Sequence, residues 1–171
     1  MHQLVLLRHA KAAREEAGLP DRDRPLTSRG RREAAAVGAA MRDLGLVPDL
    51  VLVSPSRRTT ETLAALEPWD DTPLIETLDS LYLASEAELL ATLREVAETV
   101  RGVLVIGHNP GLHALARGLA GAADGAAARR LADRYPTAAL AEFAIPGPWR
   151  QLGGARLIRF LTPEDLPLPP R

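Results

Sequence analysis

Leu4-Val5-Leu6-Leu7-Arg8-His9-Ala10-Lys11 sets four consecutive apolar residues directly against an arginine and a histidine. A strand with one wet face alternates apolar and polar residues, whereas an unbroken apolar run fits a strand covered on both faces. The run predicts an interior strand of a layered α/β domain, with Arg8 and His9 delivered to its carboxyl edge. Ligand sites in open α/β sheets lie outside that edge, so the rest of the chain is read for further polar groups brought there.

Two more runs of the same kind follow. Leu50-Val51-Leu52-Val53 ends at Ser54-Pro55, with Arg57 and Arg58 just beyond, and Val103-Leu104-Val105-Ile106 stops on Gly107-His108-Asn109-Pro110. Helical patterns separate them. Thr27 or Ser28 is a suitable N-cap for a helix with Ala34, Val37, Met41 and Leu44 on one face, closed by Gly45. Pro55 at a first helical position predicts a helix over Ser56 to Leu66, with Ser54 as its cap. Ser85-Glu86-Ala87-Glu88 is a capping box, and Leu89, Leu93, Val96 and Val100 continue its stripe as far as Gly102. A further helix is expected from Gly111 to Leu119. Gly121 to Tyr135 reads as partly helical, with Arg129 and Arg130 on a solvated face.

Leu74-Ile75 reads as a short edge strand, and Ala139 to Ile145 with Ala155 to Leu161 as an adjacent antiparallel pair. Lys11 to Arg24, polar and containing Gly18 and Pro20, is a long loop of the sort that often carries function. Strands alternating with helices predict a three-layer α/β/α sandwich with a mostly parallel central sheet. We expect one domain over residues 1–161 and an extended Pro-rich tail over 162–171, without catalytic content.

Composition narrows the chemistry. The 171 residues carry 21 basic and 22 acidic side chains, a formal net charge of −1, so no global field drives the chain toward nucleic acid or an anionic membrane. With no cysteine, disulfides, thiolate chemistry and sulfur-ligated metals are excluded. No run reaches the roughly 18 apolar residues of a membrane span, and a cytoplasmic protein is expected. Any anion recognition must be local.

Arg8 and His9, Ser54 with Arg57 and Arg58, and His108 with Asn109 converge on one edge in this reading. Guanidinium forks can bind and neutralise phosphate oxygens, while imidazoles can act as nucleophile or proton carrier. A phosphoryl site is the expectation. No Gly-x-Ser-x-Gly elbow surrounds Ser54, no Gly-rich phosphate loop is present, and His108 and His113 are not at metal-ligand spacing.

The set resembles the histidine phosphatase superfamily, whose hallmark Arg-His-Gly is here Arg8-His9-Ala10, and residues 8 to 12 resemble its SixA-type phosphohistidine phosphatases in particular. Asp21-x-Asp23-Arg24-Pro25-Leu26-Thr27-x-x-Gly30, Ser54-Pro55-x-x-Arg58-x-x-x-Thr62, Gly107-His108-Asn109-Pro110 and Pro136-Thr137-Ala138 carry the same likeness in order. The resemblance implies a phosphoglycerate mutase-like fold with the first strand central. It implies His9 as nucleophile, forming a phosphohistidine intermediate, and Arg8, Arg58 and His108 as the groups that hold the phosphoryl oxygens. Arg57 is left to solvent or a supporting place, Asp21 and Asp23 to orienting Arg24 or the loop or, equally, to touching substrate, and Lys11 without a role. No metal and no other cofactor is implied.

Larger members use a glutamate to protonate the leaving group, and Glu76 and Asp79 are the loose candidates here. A phosphohistidine needs less help from an acid, which favours a phosphorylated protein such as a histidine phosphotransfer domain as partner. A small phosphorylated metabolite, a sugar phosphate or nucleotide, is the alternative with the same chemistry. A phosphate-binding regulatory module without turnover is the alternative from another class.

Overall fold

Why four apolar residues stand together in β1 (His2–Arg8) is explained by what lies on its two faces. Leu4 and Leu6 enter one apolar cluster, Val5 and Leu7 the other. β2 (Leu50–Val53) and β4 (Gly102–Gly107) divide their residues in the same alternating way. Each such side chain removed from water contributes roughly 1.5–3 kcal/mol, so these runs tolerate no polar residue until the strands end.

The computed structural model describes residues 1–169. Helices α1 (Ser28–Asp43) and α2 (Arg57–Ala65) cover one sheet face, while α3 (Glu86–Arg94), α4 (Gly111–Ala120) and α5 (Ala126–Asp133) cover the other. With β3 (Leu74–Thr77), β5 (Leu140–Ile145) and β6 (Arg156–Leu161), the six strands form one sheet ordered β3-β2-β4-β1-β5-β6. β1 pairs in parallel with β4, as β2 does with β4 and β3, whereas β5 and β6 add an antiparallel edge. This is the three-layer α/β sandwich with a mostly parallel sheet. Register places Arg8 opposite Gly107 and Val53 opposite Ile106, so three interior strands finish at one edge.

Several local expectations need correction. The cap of α2 is Ser56, whose side chain accepts from the Thr59 amide, not Ser54, and Pro55 precedes that cap instead of opening the helix. α3 stops at Arg94, short of Val96 and Val100, and Gly102 opens β4 instead of closing a helix. The intervening segment is held from outside: Trp149 donates its amide to Glu98 at 3.0 Å and its indole N–H to the Val100 carbonyl at 2.8 Å. Those tertiary bonds, with β-branched residues of modest helix propensity, override the periodic stripe.

The long loop is also more ordered than its composition suggests. Ala12 bridges Leu26, Asp21–Asp23 form a 3-10 turn, and the Thr27 amide donates to the Lys11 carbonyl at 2.9 Å. A Cβ on Gly30 would lie 2.2 Å from the Lys11 carbonyl oxygen, so only glycine admits this approach. Likewise, the tail does not begin extended. Thr162 is buried and caps a 3-10 turn over Pro163–Asp165, Arg130 pairs with Asp165 at 2.6 Å, and Leu166 packs on the core. The last two of its residues lie outside the described ones.

Candidate functional site

Arg8 is the last residue of β1, and His9 follows it into a cavity of about 550 Å³ at the carboxyl edge. A sharp turn holds this strand end. Ala138, in the left-handed region at φ 59°, donates its amide to the Arg8 and His9 carbonyls at 3.2 and 3.0 Å. Thr62 on α2 accepts from the Ala10 amide at 3.0 Å and donates to the Arg58 carbonyl at 2.7 Å, coupling strand end to helix.

His9 is only 7% exposed. Its Nδ1 lies 2.7 Å from the Ala10 carbonyl oxygen, which can only accept, so the ring hydrogen sits on Nδ1 and Nε2 keeps its lone pair. Burial pushes its pKa down to about 3, with the charges of His108, Arg8 and Arg58 acting the same way and the Ala10 bond opposing them. Burial, more than the flanking arginine, keeps this imidazole neutral.

His108 shows the opposite arrangement. Its Nε2 lies 2.7 Å from the Ser54 hydroxyl, and Arg58 donates to its Nδ1 at 3.4 Å, so the hydrogen is on Nε2. Ser54, fully buried, therefore orients a histidine instead of capping a helix. Burial first, then Arg58, lowers the pKa of His108 to about 4. The two rings stand 5.4 Å apart between centroids.

Arg58 enters from the first turn of α2 and is 2% exposed. It donates Nη1 to the Asp21 backbone carbonyl at 2.8 Å and Nη2 to the Asp21 carboxylate at 3.0 Å. That carboxylate also accepts from Arg24 at 3.0 Å and from a short bond with the Tyr82 hydroxyl. The Tyr82 bond and these guanidinium groups hold Asp21 at a pKa of about 2, against the contrary effect of its burial. Arg8 donates Nη1 to the Tyr135 carbonyl at 3.1 Å, and Asn109 donates its amide to the same oxygen at 2.8 Å. The buried Nε groups of Arg8 and Arg58 have no hydrogen-bond partner among the described residues.

The structure thus brings Arg8, His9, Arg58 and His108 around one cavity, with Lys11, Glu15, Asp21, Arg24 and Asn109 also on its wall. Arg57 stays on the exposed side of α2, 3.5 Å from Glu61. Glu76 and Asp79 are not brought there: Glu76 is exposed on edge strand β3, and Asp79 pairs with Arg22 at 3.6 Å. Asp23 is exposed and does not line the cavity. His113, bonded to the Leu131 carbonyl at 2.6 Å, and His2, 3.0 Å from the Gly147 carbonyl, are structural. Among the described residues no group of three or more His, Cys, Asp or Glu is placed to hold a metal ion. No helix among them is long and apolar enough to cross a membrane. Tyr82 and Tyr135 went unread in the sequence, since neither sits in a motif or at a strand end.

A model of the histidine phosphatase superfamily (branch 1) matches residues 4–81. An uncharacterised protein of Mycobacterium tuberculosis is 35% identical over 162 residues, covering 92% of this chain and 100% of that relative. The chain belongs to the histidine phosphatase superfamily. Within it, the likeness is to the SixA-type branch. A solved structure assigned as the phosphohistidine phosphatase SixA of Nakamurella multipartitia is 32% identical with a TM-score of 0.82, over 95% of this chain and 96% of that one. The protein histidine phosphatase SixA in complex with tungstate is 25% identical with a TM-score of 0.78, over 95% and 98% of the two chains.

Proposed function

We propose that this chain is a phosphatase that removes the phosphoryl group from phosphohistidine on a partner protein, by way of a phosphohistidine on its own His9. The observation that carries the reading is the pair of buried guanidinium Nε groups on Arg8 and Arg58, unpartnered beside a neutral imidazole. A buried donor without an acceptor costs on the order of 1–3 kcal/mol, and a bound phosphoryl oxygen removes that cost at each arginine.

In this reading His9 Nε2 attacks phosphorus while Nδ1–H stays on the Ala10 carbonyl. The bond from phosphorus to the substrate nitrogen breaks, and its electron pair leaves with that nitrogen. Arg8 and Arg58 offset the charge on the transferring group, which is most of what phosphoryl transfer asks of a protein. The incoming anion raises the proton affinity of His108. A solvent proton taken on its Nδ1, in place of the Arg58 bond, is then shared with a phosphoryl oxygen and returns to solvent as phosphate leaves, while Ser54 retains Nε2.

The proton inventory supports this substrate class. An alkyl phosphate leaves as an alkoxide and requires an acid, whereas a phosphohistidine protonated on its distal nitrogen leaves as neutral imidazole. Asp21 is tied to Arg58, Arg24 and Tyr82 and held ionised, so it has no proton to give. Such a partner would be a cytoplasmic protein carrying phosphohistidine, for instance a histidine phosphotransfer domain. The second reading, a small phosphomonoester as substrate, rests on Glu15, an exposed cavity carboxylate that forms no ion pair among the described residues.

Rates on a phosphohistidine-bearing protein and on a panel of phosphorylated metabolites separate the two. We expect the protein to be preferred, with Glu15→Gln within about threefold of wild type on it. A marked metabolite preference that Glu15→Gln abolishes would establish the second reading instead.

A further inference from the structure

Three buried side-chain nitrogen or oxygen atoms lack a hydrogen-bond partner among the described residues: Arg8 Nε, Arg58 Nε and Asn109 Oδ1. All three belong to residues lining the cavity at the carboxyl edge. Buried polar atoms are nearly always paired, so a cluster of exceptions at one cavity asks for a common explanation. Two of them are donors, and a phosphoryl group satisfies both. The third is an acceptor, and a phosphoryl dianion offers it nothing.

The orientation of Asn109 is fixed by its neighbour. Its nitrogen donates to the Tyr135 carbonyl at 2.8 Å, the oxygen that also receives Arg8 Nη1 at 3.1 Å. Turning the amide over would set two oxygens against each other and break that bond, so Oδ1 is held on the other side of the group. Two other acceptors on the cavity wall are already engaged, while Glu15 stands exposed to solvent. Asp21 receives Arg58, Arg24 and Tyr82, and His108 Nδ1 receives Arg58.

Resting on the phosphatase reading above, we infer that Asn109 Oδ1 positions the water that hydrolyses the phosphoryl–His9 intermediate. Water is the donor that comes nearest phosphorus once the leaving group has gone, entering in line where it departed. In that step the water oxygen bonds to phosphorus, the bond from phosphorus to Nε2 breaks, and its electron pair returns to Nε2. One water hydrogen stays on the new phosphate oxygen and the other passes to a second phosphate oxygen. Nδ1–H remains on the Ala10 carbonyl throughout, so His9 emerges neutral and the product is dihydrogen phosphate. An amide does not take a proton at neutral pH; Asn109 is a positioning residue that fixes the angle of attack.

The test separates the two half-reactions by rapid quench with a phosphohistidine-bearing protein, following acid-labile phosphate on the enzyme. Asn109→Leu keeps the size and removes the acceptor together with the donor to the Tyr135 carbonyl, which still receives Arg8. We expect it to slow breakdown of the phosphoenzyme about tenfold while formation stays within about threefold, so that the intermediate accumulates. Asn109→Asp keeps an acceptor, loses the donor to the Tyr135 carbonyl and adds a charge facing the anion. It should slow formation and leave breakdown within about threefold.

Equal slowing of both steps by Asn109→Leu, or no change in either, overturns the inference and leaves the phosphatase reading standing. Unaltered formation with slowed breakdown in Asn109→Asp overturns it too, even if Asn109→Leu does not fold. Failure of wild type to form any phosphoenzyme would overturn the phosphatase reading, and this inference with it.

Discussion

The two ends of the sheet each carry a cavity, of about 550 Å³ at the carboxyl edge and 490 Å³ at the amino edge, and each buries at least one charged side chain. At the amino edge the carboxylates are answered. Glu142, 6% exposed, accepts from Arg159 and from Gln3 at 3.1 Å, and the exposed Asp49 accepts from the Arg101 and Gly102 amides at 3.0 and 2.8 Å. At the carboxyl edge two guanidinium nitrogens and one amide oxygen are left over. Cavities of similar volume thus line a closed structural network at one edge and an open one at the other. What distinguishes the carboxyl edge is unspent hydrogen-bonding capacity next to the neutral imidazole of His9.

Paired substitutions at the two edges put the largest strain on this contrast. Arg58→Lys removes the planar fork and its Nε and should lower kcat/KM by about 10²-fold in steady-state assays. Glu142→Gln should leave kcat/KM within about twofold while costing about 1–3 kcal/mol of stability in urea titration. A catalytic loss from Glu142→Gln as large as that from Arg58→Lys would erase the distinction between the edges.

Acid sensitivity gives the next effect. His9 and His108 are held down to about 3 and about 4, against about 6.5 for an unfolded histidine. As pH falls below 6.5 the unfolded chain takes up protons that the folded chain refuses. The stability these groups allow is therefore complete above about pH 6.5 and declines toward pH 4. The limit is about 1.4 kcal/mol per pH unit for each histidine. Urea midpoints measured from pH 7 to pH 4.5, above the range of Asp21, should fall less steeply in His108→Gln than in wild type. An unchanged slope would mean that His108 already carries its proton in the fold.

Tyr82→Phe probes the smallest effect. It withdraws one donor from Asp21, which then grips Arg58 less firmly, and should raise KM roughly three- to tenfold with kcat within about twofold. An unchanged KM would make the Tyr82 bond incidental to the site.

The interior strands were legible because a run such as Leu4 to Leu7 has only one environment that suits it, and their ends marked the edge where the site lies. The capping box at Ser85 was legible because its bonds are local, and α3 has that box. Features set by distant partners were not. Spacing alone left Arg57 and Arg58 equal; Ser56 as the cap fixes the helix phase and turns Arg58 inward. Ser54 became a partner of His108 only when β2 and β4 lay side by side. Tyr82 is 61 residues from Asp21, and no pattern short of the fold joins them. The far end of α3 failed for the same reason, since Trp149 dictates it from another part of the chain.

The central claim is that His9, kept neutral by burial and held by Ala10, takes the phosphoryl group itself. Quenching the enzyme in base during turnover of a phosphohistidine-bearing protein, then mapping the modified peptide, tests this directly. The account predicts one acid-labile, base-stable phosphate on His9, absent in His9→Ala, whose turnover falls by at least about 10³-fold. Phosphate found on another residue, or full turnover by His9→Ala, would contradict it.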